Sequence, residues 1–242
     1  TDFKMEEDIR ENGNDGDFKA LAALKMTWQA GLWIARTPFA LAVILFGMCY
    51  DHILRMIVTM TSQYYRLIEL PEASFGIIGS AIGLLGLVIP KIAEYMAENF
   101  SATINMYCVT ALTLLGLVSL TGFFPYWGLL PMGFIYIAMV LVTFFTSHYL
   151  NQITESHQRA TVLSFKGLAF NLAYGLIGFF FAMLITHLRN NERAQHSDWL
   201  PAAIEDAAFM GAIGWFPWYT IICLAVTGLY CWHRLKRSSE HM

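Results

Sequence analysis

Asp51, His52 and Arg55 fall in the run FGMCYDHILRM, which otherwise reads like membrane interior. Asp51 and Arg55 are four residues apart, the spacing that places a carboxylate and a guanidinium on one helix face and lets them pair. A lone charge at mid-membrane costs about 2.5–3.5 kcal/mol, and pairing reduces that cost. An apolar pair is cheaper still, so tolerance alone does not account for the two charges. The same face carries Met48, Thr59 and Ser62, a polar stripe suited to an aqueous cavity. His52 is turned about 100° away, toward a neighbouring helix. Two readings follow for Asp51 and Arg55: a buried clamp between helices, or the lining of a substrate or proton pathway.

The elements that must position these groups are membrane-spanning helices. Of 242 residues, 57% are hydrophobic and 14% charged, below the roughly 25% charge of soluble domains, and the apolar residues come in blocks. A spanning helix needs about 20 mostly apolar residues. Six runs qualify: 38–65, 75–96, 104–124, 129–149, 161–186 and 215–232. In the second the clean apolar run stops at Pro90, and Lys91 must snorkel to the interface. Strands of a membrane barrel alternate with a period of two, which these blocks do not, so the fold class is an all-α bundle of six transmembrane helices. Asp51 lies roughly 20 Å along the first helix from either end, near the midplane.

Lysine and arginine stay on the cytoplasmic side. With the amino terminus inside, eleven of the fifteen lie in inner segments, Lys166 among them; Arg66, Arg189 and Arg193 lie outside, and Arg55 lies within a span. Both termini are then cytoplasmic and the bilayer is the first partner. No dense basic patch suggests nucleic acid. Cys49, Cys108, Cys223 and Cys231 show no CxxC spacing and read as small buried apolar residues. No metal or cofactor is called for.

The chain begins at Thr1 with no cleavable signal, which predicts a segment of something longer. Residues 1–17 are acidic and rich in Asn and Gly, a flexible cytoplasmic linker. Over 18–36, Phe18, Leu21, Leu24, Trp28 and Leu32 recur at helical spacing; an amphipathic interfacial helix fits, as does an extension of the first span as far as Pro38. The transmembrane domain runs over 37–237 and a cytoplasmic tail over 238–242. Residues 187–214 form the longest outer loop, with one surface helix after Pro201.

Two spans carry small-residue faces. Gly76, Gly79, Gly83 and Gly86 line the second, and Ser164, Gly167, Asn171, Gly175 and Gly178 the fifth, each suited to close helix contact. Asn171 and Tyr174 add hydrogen-bonding groups that reach either a partner helix or a ligand.

Six helices, an acidic lead and YDHILRM in the first span resemble the carboxy-terminal half of a major facilitator superfamily transporter. HYLNQITESHQRATVLSFKGLAFNLAYGLIG, residues 148–178, is similar to the segment joining the tenth and eleventh helices of bacterial efflux-type permeases, where R-A-T-x-L-S precedes a small-residue helix. The resemblance implies secondary, proton-coupled transport of a small solute in a bacterial inner membrane, by alternating access of two bundles. It implies two inverted three-helix repeats. It makes Asp51 the proton-accepting carboxylate, with Arg55 neutralising it or binding an anionic substrate group and His52 assisting; Thr59, Asn171 and Tyr174, on their own chemistry, are the candidates for a substrate cavity. Gly79, Gly83, Gly86, Gly167, Gly175 and Gly178 would face a missing amino-terminal half. PKIAEYMAENFS departs from the family's G-x-x-x-D-R/K loop. The competing classes are an intramembrane enzyme built on His148, Glu155 and His157, whose spacing matches no metal motif, and a non-transporting scaffold.

Overall fold

The computed structural model describes residues 15–239; most of the acidic linker and the end of the tail lie outside the described residues. The described chain is helical throughout: α1 (Asp15–Arg36), α2 (Pro38–Thr59), α3 (Thr61–Leu67), a single 3-10 turn (Glu72–Ser74), α4 (Phe75–Asn99), α5 (Ala102–Leu120), α6 (Leu129–Ile153), α7 (Arg159–Gln195) and α8 (Pro201–Ser239). Six of these helices, α2 and α4 to α8, are long and apolar enough to cross a membrane.

Local chemistry sets the ends. Thr37 is extended, with φ −99° and ψ 101°, and Pro38 opens α2 with its φ already fixed for a helix. α1 is therefore a separate helix rather than a continuation of α2. The first span also ends earlier than its apolar run predicts, since Met60 bends the chain before α3. Ser101 caps α5, its hydroxyl accepting from the Ile104 N–H at 3.3 Å. Pro90 and Pro217 each delete one backbone hydrogen bond, yet α4 and α8 run through them.

The core forms where α2 and α6 meet, with α7 and α8 against α2, and α4 and α5 against α6. Ile53, Leu54, Met132, Ile135 and Ala138 are fully buried there. Gly47 permits a close approach: a Cβ on it would stand 2.6 Å from the Thr146 hydroxyl and 2.9 Å from the Phe170 ring.

One expectation is corrected. Residues 187–214 are not a long loop. α7 continues to Gln195 and α8 starts at Pro201, so the connection is only His196–Leu200. Ile204, Ala208, Phe209, Ala212 and Ile213 give α8 a buried face that hydropathy averaging hides, and Arg189 pairs with Glu205 across the two helices. On α1 the two sides differ. Trp28 and Leu32 are exposed, whereas Ala30 and Ile34 are buried with Ala40, Ile44, Leu150 and Val162.

Candidate functional site

Asp51 and Arg55 sit one turn apart on α2, and an Arg55 Nη2 stands 2.7 Å from Asp51 Oδ2. The Asp51 side chain is 8% exposed and the Arg55 side chain 33%, so the pair opens from the core toward one face of the bundle. Asp51 Oδ2 receives no well-directed hydrogen bond despite its ion pair.

α7 completes the face. Arg55 Nη1 donates to Asn171 Oδ1 at 2.8 Å, and the guanidinium lies 5.2 Å from the centre of the Tyr174 ring. Thr59 gives its one hydroxyl proton to the Arg55 carbonyl, so the Tyr174 hydroxyl donates to Thr59 Oγ1 at 2.8 Å. Asp51, Arg55, Thr59, Asn171 and Tyr174 are thus brought together. Thr59 and Asn171 are exposed, and so is Ser62.

His52 points elsewhere. Its Nδ1 lies 2.6 Å from the Met48 carbonyl, which can only accept, so Nδ1 carries the proton. Nε2 is then the acceptor for the Tyr219 hydroxyl on α8 at 2.9 Å. Both ring nitrogens are engaged between α2 and α8, away from the polar face.

Lys166, near the start of α7, joins this face. Its ammonium donates to Ser147 Oγ on α6 at 2.7 Å, lies 5.5 Å from the Phe170 ring centre, and is within electrostatic reach of Asp51. The sequence carried the signal: Lys166 is the one charged residue in the apolar run 161–186. A groove of about 490 Å³ runs beside it, lined by Ser147, His148, Asn151 and apolar residues of α6 and by Pro90 of α4.

The small-residue faces are open. A Cβ on Gly76, Gly79, Gly83, Gly86, Gly167, Gly175 or Gly178 would meet no atom within 4 Å. The cysteines divide: Cys49 and Cys231 are buried as expected, Cys108 is exposed, and the Cys49 and Cys223 sulfurs lie 2.7 Å apart across α2 and α8. The three candidates for an enzyme do not form one cluster. His148 bonds Gln152 and stacks on Phe144, while His157 pairs with Glu155 in an exposed turn. Among the described residues no three His, Cys, Asp or Glu side chains converge.

No family model matches the chain, no curated protein sequence matches it, and no solved structure matches it.

Proposed function

We propose that the chain is the carboxy-terminal half of a secondary transporter of the major facilitator type, moving a small solute with proton coupling across a bacterial inner membrane with both termini cytoplasmic. The observation that carries this reading is the Asp51–Arg55 pair, continued by Asn171, Tyr174, Thr59 and Lys166 on a face that opens out of the six-helix body. Lipid is a poor neighbour for a guanidinium one-third exposed at that depth, so water or further protein covers it. The covering element is an amino-terminal six-helix half, seated on the open glycine faces of α4 and α7.

A second pattern supports two inverted repeats. The buried share of each membrane-crossing stretch runs 56, 6 and 33% through α2, α4 and α5, and 44, 11 and 33% through α6, α7 and α8. The order most buried, least buried, intermediate thus recurs in the two triplets, which is in keeping with a repeat. In alternating access the two halves rock about the polar face. Asp51 takes up and releases the proton, and Arg55 holds the ionised carboxylate when no substrate competes.

The test begins upstream of Thr1, where six further apolar spans are expected in the reading frame. In vesicles bearing the complete product, solutes are screened for collapse of an imposed pH gradient. Asp51→Asn should abolish the collapse while leaving insertion intact. Parental transport by that variant rules out the proton role, and the absence of further spans rules out the half-transporter reading.

A further inference from the structure

Within the six spans the polar face holds one carboxylate, Asp51, and two cations, Arg55 and Lys166. If all three are ionised, the sum is +1 on a face where an uncompensated charge is expensive. The groove between α4 and α6 adds no acid. Its polar lining is Thr143, Ser147, His148 and Asn151, and its walls are apolar side chains such as Met139 and Phe144. Ser147 belongs to both features, lining the groove and holding the Lys166 ammonium at 2.7 Å. The groove's volume of about 490 Å³ is that of a small-molecule site.

We infer that this face binds an organic anion with an apolar body, its anionic head between the Arg55 guanidinium and the Lys166 ammonium and its body in the groove between α4 and α6. The inference rests on the transporter reading and adds the substrate class. The head group supplies the negative charge that one carboxylate cannot, and it competes with Asp51 for Arg55. A carboxylate or sulfonate suits the guanidinium fork. A cationic substrate would leave three positive charges facing one negative.

The test uses the full 242-residue chain in lipid nanodiscs and three probes with one body: 2-naphthoate, neutral 2-naphthamide and cationic 2-naphthylmethylammonium. Equilibrium dialysis, with empty nanodiscs subtracted, measures binding. Saturable binding of naphthoate at least tenfold tighter than of either analogue is expected. Lys166→Gln should weaken naphthoate about tenfold and leave naphthamide unchanged, while Lys166→Arg keeps the charge and retains binding. A melting temperature within error of the parent's confirms that Lys166→Gln remains folded. Tighter binding of the ammonium probe, no saturable binding of naphthoate, or equal naphthoate affinity in Lys166→Gln overturns the anion assignment. The transporter reading fails differently, through the absence of gradient collapse by the complete product while naphthoate still binds this chain.

Discussion

Gly47 on α2 and Gly83 on α4 are the same residue in two helices that both qualify as membrane spans, and their surroundings are opposite. At Gly47 an added Cβ runs into Thr146 and Phe170; at Gly83 it meets nothing. The contrast extends to the whole helices, α2 lying in the core and α4 having only Ile89 and Ala93 buried. Hydropathy therefore tells which segments enter a membrane and not which of them touch one another. In water, exposed apolar surface is a cost that drives packing, whereas in lipid a leucine is as well placed outside the bundle as inside it. What separates the two regions is steric and polar detail: a glycine against a threonine in one, a smooth glycine face open to a neighbour in the other.

The comparison breaks most visibly where the packed region meets the open face. Arg55→Ala leaves the Asp51 carboxylate buried without its cation and should destabilise the chain by about 3–5 kcal/mol. The double change Asp51→Asn with Arg55→Gln should cost clearly less. Melting in detergent followed by tryptophan fluorescence decides, and a double variant as unstable as Arg55→Ala would refute the stranded-charge argument. Inside the packed region, Gly47→Leu forces Thr146 and Phe170 apart, and about 1–3 kcal/mol of overpacking cost is expected in the same melt. A parental melting temperature there would mean that α2 and α6 do not approach as closely as described.

Smaller effects sharpen the contrast. Asn105 is fully buried and its amide donates to the Tyr149 hydroxyl and the Met96 carbonyl, tying α5 to α6 and to the end of α4. Asn105→Ala should cost about 1 kcal/mol, since hydrogen bonds between membrane helices are individually modest. On the open faces, Gly83→Leu and Gly175→Leu should fall within about 0.5 kcal/mol of the parent. Both should still block transport restored by co-expressing an amino-terminal half. Severe destabilisation by either leucine would place that face inside the six-helix body, and the half-transporter assignment would be withdrawn.

The spans were legible because continuous apolar length is a strong signal, and the Asp51–Arg55 pair because a four-residue spacing dictates a shared face. The partner of Lys166 was not legible. Its place near the start of a span is plain from the sequence, but only the hydroxyl of Ser147, nineteen residues away, reveals where its ammonium ends. The carboxy-terminal part of α7 and the first turns of α8 are not legible because their helical face is small and mixed. Ala208 and Ala212 carry little hydropathy, yet both are fully buried. The cysteine contact was invisible for a different reason, since nothing in the sequence relates the faces of the first and last spans.

α7 has 37 residues and is about 55 Å long, against a hydrocarbon core of about 30 Å. Its polar end, from His187 onward, is braced against α8 by the Arg189–Glu205 pair and by Leu188 over Gly211. The two helices form a stiff mast rather than a floppy loop. A mast amplifies tilt: a small rotation of its foot within the bilayer becomes a displacement of several ångströms at its tip. Dyes attached near Asn190 and Asp198 would thus register any tilt of the bundle as a change in their distance from the membrane surface.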